Sequence, residues 1–202
     1  MIVVTGAGGR LGRLVADRLL RAGKDVVGTD RVPSDSPDFK FVLGDLSNDG
    51  MVSELVRGAD AVVHMGAIPG PRSSEPIETF DNNVSSTFNV MMAAAEHGVR
   101  RIVFSSSAFG MGWAHDPSAF VPLFLPLDED HPMMPFETYG LSKQIGEDIG
   151  AMLARSTDIS VVSLRFTNIP NDEVRAEFPL PAPTVTDPLT LVMWGYAFAD
   201  DV

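Results

Sequence analysis

The sequence predicts an α/β protein built on a doubly wound parallel sheet with helices on both faces, and three observations predict it. Short β-branched runs alternate with longer stretches of helical periodicity through the first 166 residues, the pattern of strands joined by crossover helices. A glycine-rich turn follows the first of these runs directly, where a sheet of this kind brings backbone close to a bound phosphate. The chain of 202 residues is 45 % hydrophobic and 21 % charged, the size and composition of one domain with one core.

Taken in order, Ile2 to Thr5 reads as the first strand and Asp25 to Asp30 as the second. Between them Leu11, Leu14, Val15 and Leu19 fall on one helical face, and Gly23 ends that helix, giving one right-handed βαβ unit. Further strands are expected at Phe39 to Leu43, Ala61 to His64, Arg101 to Ser105 and Ser160 to Arg165. A second long helix is expected from Glu75 to His97, where Phe80, Val84, Phe88, Met91 and Met92 recur near helical spacing, and a third from Thr138 to Arg155. From Ser107 to Phe136 no period holds, and a long loop of that kind is usually functional or disordered. Beyond Asn168 the chain turns Pro-rich, so residues 1–168 form the expected domain and 169–202 a segment too short to bury a second core.

The formal net charge of −12 argues against nucleic acid, whose affinity comes from clustered Lys and Arg. With no basic, apolar leader and no apolar run of about 18 residues, the chain reads as cytoplasmic with no membrane partner. Zero cysteines exclude disulfides, thiolate metal sites and a cysteine nucleophile. The four histidines are far apart in sequence, so no metal site is expected.

The glycine turn is Thr5-Gly6-Ala7-Gly8-Gly9-Arg10-Leu11-Gly12. Glycines allow the tight turn and remove the Cβ atoms that would block a pyrophosphate, while the following helix offers N–H donors and the positive end of its dipole. The spacing, Gly6, Gly9, Gly12, points to a Rossmann-type site with Gly6, Gly9, Arg10, Leu11 and Gly12 at the cofactor. The second strand ends in Asp30, eighteen residues beyond Gly12, where a carboxylate can accept from both adenosine ribose hydroxyls and would repel a 2′-phosphate. NAD is therefore expected ahead of NADP, with neighbouring Arg31 the feature that speaks for NADP. Asp45 and Leu46 follow the third strand, at the adenine, and Gly66 and Ala67 follow the fourth, beside the dinucleotide.

Tyr139-Gly140-Leu141-Ser142-Lys143 sets a phenol and an ammonium four residues apart, one helical turn on one face. A phenol titrates near pH ~10, and a neighbouring cation favours its ionised form. The run Phe104-Ser105-Ser106-Ser107 ends the fifth strand at the same sheet edge as the glycine turn, where a hydroxyl can orient the oxygen whose proton Tyr139 takes.

These segments, with Asn83-Val84, Thr87 to Val90 and Leu164-Arg165-Phe166, resemble the extended short-chain dehydrogenase/reductases, specifically the NAD-dependent epimerase/dehydratase group. The resemblance covers almost the whole chain. It implies that Ser107 is the Ser/Thr of the catalytic set and Tyr139 the acid/base. It makes Lys143 the partner that also holds the nicotinamide ribose, and sets Asn83 beside the cofactor.

It further implies a sugar or nucleotide-sugar substrate and a homodimer paired through the two long helices, whose apolar residues exceed what one sheet face requires. The expected activity is NAD-dependent epimerisation of a nucleotide sugar. Two alternatives are a sugar-acid dehydrogenase of the uronate type and an inactive NAD-binding regulator.

Two departures matter. The dehydratases of the group place an Asp-Glu pair after the catalytic Ser/Thr, where this chain has Ala108-Phe109, which disfavours dehydration. The family also continues into a substrate lobe beyond a segment that Trp194, Tyr196 and Asp201-Val202 resemble, so the lobe is largely absent from this sequence.

Overall fold

The computed structural model describes residues 1–34, 38–112 and 122–169. Six strands run β1 (Ile2–Thr5), β2 (Val26–Asp30), β3 (Lys40–Leu43), β4 (Ala61–His64), β5 (Arg101–Ser107) and β6 (Ser160–Phe166). They pair in the order β3-β2-β1-β4-β5-β6, every neighbour parallel. The helices are α1 (Arg10–Arg21), α2 (Asp49–Val56), α3 (Pro76–Glu96) and α4 (Thr138–Ser156). The doubly wound sheet is therefore as expected, with strand ends moved by a residue or two.

Alternation along the strands sorts the core into two layers. Val3 and Val62 pack with Val52 and Val56 of α2, Val90 and Met91 of α3 and Leu153 of α4. Val4 and Val26 face the other way, onto Ala16 and Leu19 of α1. Each fully buried valine is worth about 1.5–3 kcal/mol over its exposed state, so this alternation fixes the strands' register. A one-residue slip would exchange the two layers.

Two elements differ from expectation. Helix α2 has too short a period to stand out in the sequence; it forms because Asn48 caps it, accepting from Met51 N at 3.0 Å, and because Val52, Leu55 and Val56 are buried. The stretch read as a structureless loop is only partly so. β5 runs on to Ser107, and Ala108–Met111 make a 3-10 turn capped by the Ser107 hydroxyl.

Residues 122–136, though irregular, are tied down. Buried His131 accepts from Leu123 N at 3.2 Å, and Met134 N donates to Gly110 O at 2.9 Å. The remainder of that stretch, the 170–202 part of the proposed C-terminal segment, and Trp194, Tyr196 and Asp201-Val202 lie outside the described residues. Among the described residues no helix is long and apolar enough to cross a membrane.

Candidate active site

Strands β1 and β4 are neighbours although four elements separate them in sequence, so the winding reverses between them and their carboxyl ends open a crevice. The two chain exits there touch. Gly6 has φ +70°, and a Cβ on it would lie 2.8 Å from Gly66 N; a Cβ on Gly12 would lie 2.1 Å from Gly6 O. Only glycine fits at either position. Helix α1 starts behind Gly9 with no side-chain cap, which leaves first-turn N–H donors for an anion. Asp30 closes this end: its carboxylate accepts from Gly8 N and Val32 N, both at 3.1 Å.

Beneath the two exits, Thr5 Oγ1 accepts from Met65 N at 3.2 Å and Gly66 N at 3.1 Å. Its own proton therefore goes to His64 Nδ1 at 2.7 Å, which makes His64 the Nε2–H tautomer donating to Thr87 Oγ1 at 3.0 Å. Burial, with the Lys143 charge adding to it, pushes His64 down to about 3. This histidine is a neutral pin between β1, β4 and α3.

At the other end α4 begins with Glu137, whose carboxylate accepts from Tyr139 N and Gly140 N, both at 2.6 Å. That cap orients the first turn, and with it Tyr139. The Tyr139 phenol shares the cleft wall with Ser107, whose hydroxyl favours its ionised form, and meets the Phe109 ring edge-on at 6.0 Å. Lys143, buried, donates from Nζ to Ser105 O at 2.8 Å and lies 5.4 Å from the Tyr139 ring centroid.

The expectation that Lys143 lowers the phenol is not what the structure has. Burial raises Tyr139, the opposing pull comes from the Ser107 hydroxyl, and Glu137 adds repulsion. Burial also brings Lys143 itself down to about 8. At that value the buried ammonium is still mostly protonated at neutral pH, at a cost in desolvation.

Both ends belong to one cleft of about 540 Å³. Gly6, Gly9, Arg10, Leu11, Gly12, Asp30, Asp45, Leu46, Gly66 and Ala67 line it with Ser107, Tyr139 and Lys143. Asp45 is held as a carboxylate below its usual range by the Ser47 backbone N–H, with the Arg31 guanidinium 3.8 Å away.

Asn83 is the exception. It is buried behind the wall, its amide spent on Ile68 N and O at 2.8 and 3.1 Å and on Ser142 Oγ at 3.2 Å. Asn82 and Ser86 take the wall position instead. Sequence reasoning missed both, and also Thr167 and Asn168 past β6. The first pair could have been found from helical phase, since residues four apart on α3 share a face.

The cradle fits a dinucleotide on its own geometry: a turn with no room for a Cβ at Gly6 or Gly12, a helix start with no side-chain cap, and the Asp30 carboxylate at the end of β2. Among the described residues no cluster of His, Asp and Glu could hold a metal ion.

A family model described as the NAD dependent epimerase/dehydratase family matches residues 2–171. A uronate dehydrogenase of Pseudomonas putida is 31 % identical over 167 residues, 81 % of this chain and 59 % of its own length. A UDP-glucose 4-epimerase of Lactobacillus helveticus is 31 % identical over 177 residues, 83 % of this chain and 51 % of its own length.

Among solved structures, a short-chain dehydrogenase/reductase superfamily protein from Agrobacterium tumefaciens with bound NAD superposes with a TM-score of 0.75 at 36 % identity. That match covers 85 % of this chain and 50 % of the other. The chain thus spans about half the length of the relatives it matches.

Proposed function

Because the chain belongs to the NAD dependent epimerase/dehydratase family, we propose that its cleft holds NAD and that its side chains move the proton of a sugar hydroxyl, with a nucleotide sugar as substrate. The observation that carries the reading is the continuity of the cleft, which joins the Gly6–Gly12 turn to Ser107, Tyr139 and Lys143 without a break. Residues 1–168 then act as the dinucleotide-binding domain. The turn amides would hold the pyrophosphate, Asp30 the adenosine ribose, Asp45 the adenine, and Lys143 the nicotinamide ribose. When bound, NAD supplies a hydride acceptor for the carbon that is oxidised.

The chain's own residues do the rest. Tyr139, as the phenolate that the Lys143 ammonium and the positive charge of an oxidised nicotinamide would favour, takes the hydroxyl proton onto its oxygen, so the O–H and C–H bonds break as a C=O forms. Ser107, with one lone pair occupied by Phe109 N at 3.2 Å, is left with its proton and a second lone pair for Tyr139 and the substrate oxygen. Lys143 keeps its place through Ser105 O. If the keto sugar turns over in the cleft and is reduced on its other face, with Tyr139 returning the proton, the carbon is inverted. If it departs, the net reaction is oxidation.

The second reading, a uronate-type sugar-acid dehydrogenase, is favoured by the Pseudomonas putida relative. Incubating the protein with NAD and a panel of nucleotide sugars and uronic acids separates the two. Epimeric product without net NADH supports the first, accumulating NADH the second, and NAD binding without turnover on any sugar supports an inactive regulator and overturns both.

We also infer a homodimer through α3 and α4, which pack together yet leave Phe88, Met92, Leu141 and Met152 exposed. Light scattering at micromolar concentration should give twice the chain mass for the wild type and the chain mass for Met92→Glu. A wild-type monomer overturns the inference.

A further inference from the structure

Three consecutive serines at the end of β5 each engage α4. The Ser105 carbonyl accepts from Lys143, Ser107 shares the cleft wall with Tyr139, and Ser106 Oγ donates to Glu147 Oε1 at 2.5 Å. The three partners follow one another at intervals of four residues, so they rise along one face of the helix. Two of these pairs belong to the site already described, whereas Glu147 does not line the cleft.

Glu147 is instead gripped from behind. Arg165 on β6 closes on it through Nε at 3.0 Å and Nη2 at 2.9 Å, the two side chains being only 20 % and 16 % exposed. The remaining nitrogen of Arg165, Nη1, donates to the carbonyls of Glu129 and His131, both at 3.1 Å. One guanidinium thereby joins β6, α4 and the irregular 122–136 segment, and Ser106 adds β5.

Stability is a poor reason for such a pair, because the desolvation of two largely buried charges offsets most of their attraction. Geometry is a better one. A bidentate guanidinium leaves the carboxylate one orientation, and the hydroxyl that reaches it belongs to the residue next to Ser107. Consecutive Cα atoms are ~3.8 Å apart, so freedom at Ser106 is passed to Ser107 almost undiminished. The influence of the Ser107 hydroxyl on the Tyr139 phenol depends on their distance and angle, as any hydroxyl–phenol interaction does.

We propose that the Arg165–Glu147 pair, acting through Ser106, is a positioning device that holds the end of β5 in register on α4 and thereby fixes Ser107 relative to Tyr139. That placement exists whatever the reaction; its catalytic consequence rests on the acid–base role proposed for Tyr139. Ser106 and Glu147 are positioning residues under this reading, since Glu147 touches neither substrate nor cofactor.

The chain contains two tyrosines, Tyr139 and Tyr196. An absorbance titration of the full chain therefore reads Tyr139 directly, with Tyr139→Phe identifying its step. Ser107→Ala should move that step to higher pH, because it removes the hydroxyl that favours the phenolate. Ser106→Ala and the charge-neutral double variant Glu147→Leu/Arg165→Met should move it the same way. Adding Ser107→Ala to either should then move it no further, and Ser106→Thr should titrate as wild type.

A melting temperature that falls while the Tyr139 step stays put would reduce the pair to a fold clamp and overturn the proposal, as would additive shifts. Should the double variant not fold, Ser106→Ala decides, because it leaves the ion pair whole. A shifted titration in a protein that turns over no sugar would defeat the acid–base reading and leave this one standing.

Discussion

The two ends of the cleft are built from different materials. At the glycine end the surface is backbone: Gly6 and Gly12 are pressed against main chain, Gly6 against Gly66 and Gly12 against Gly6, so that no side chain can be added at either. At the serine–tyrosine end the surface is side chain: Tyr139, Lys143 and Ser107 are set by a helix cap, a strand end and a hydrogen bond across the gap. A backbone site is right or wrong as a whole, because its donors are fixed by the fold. A side-chain site can be tuned, because each group depends on separate neighbours. Damage at one end should therefore show in one kind of measurement and spare the other.

The largest effect belongs to the side-chain end. Tyr139→Phe removes the proposed proton acceptor without changing shape and should cut turnover about 10²- to 10⁴-fold, with NAD affinity by calorimetry unchanged. A comparable loss of affinity would break the division between the ends. The next largest belongs to the backbone end. Gly12→Ala puts a Cβ 2.1 Å from Gly6 O, a main-chain clash that costs about 1–3 kcal/mol or more. NAD affinity should drop on the order of 10- to 100-fold, while the Tyr139 absorbance titration stays where it was; wild-type affinity would show that the turn is not the cradle.

Asp30→Asn lies between the two kinds, being a side chain that serves the turn. It keeps the shape and an acceptor for Gly8 N or Val32 N but loses charge-assisted bonds worth about 1.5–3 kcal/mol. NAD affinity should fall about tenfold and the preference over NADP should narrow. An unchanged preference would move the discrimination to Arg31 and Asp45, which also line the cleft.

The same contrast explains what could be read from the residues alone. The glycine end was legible because close approach leaves a mark in composition: only glycine tolerates a missing Cβ's worth of space, so Gly6, Gly9 and Gly12 declare themselves by spacing. Tyr139 and Lys143 were legible by helical phase, and Ser107 by its place at a strand end. Asn83 was misplaced because neighbours on a helix point about 100° apart. The fold turned Asn82 to the cleft and spent Asn83 on Ile68 and Ser142.

Glu147 and Arg165 carry no local signature at all, since their meeting depends on β6 lying beside β5. The pull on the Tyr139 phenol was likewise misassigned. Spacing puts Lys143 near the ring, but only burial reveals that this ammonium is itself costly.

That cost gives the effect that most sharpens the comparison, because it concerns a charge buried at the side-chain end. In the chain without dinucleotide Lys143 is held down to about 8 by burial, whereas an unfolded lysine titrates near ~10.4. Between those values the unfolded chain binds a proton the folded chain lacks, so folding stability from this group rises with pH across the window. Below about 8 the penalty of a buried ammonium is fully present, and above the unfolded value it is gone; the span is on the order of 3 kcal/mol.

Lys143→Met should remove that dependence. The Ser105 carbonyl loses its donor in the variant, a fixed cost of about 1 kcal/mol or more that does not vary with pH. Urea unfolding of wild type and Lys143→Met in parallel between pH 7.5 and 10.5, about the window set by those two values, cancels every other titrating group, Tyr139 included. The stability difference should swing toward the wild type as pH rises. Parallel curves would mean that Lys143 titrates alike in the folded and the unfolded chain and that its burial carries no charge penalty.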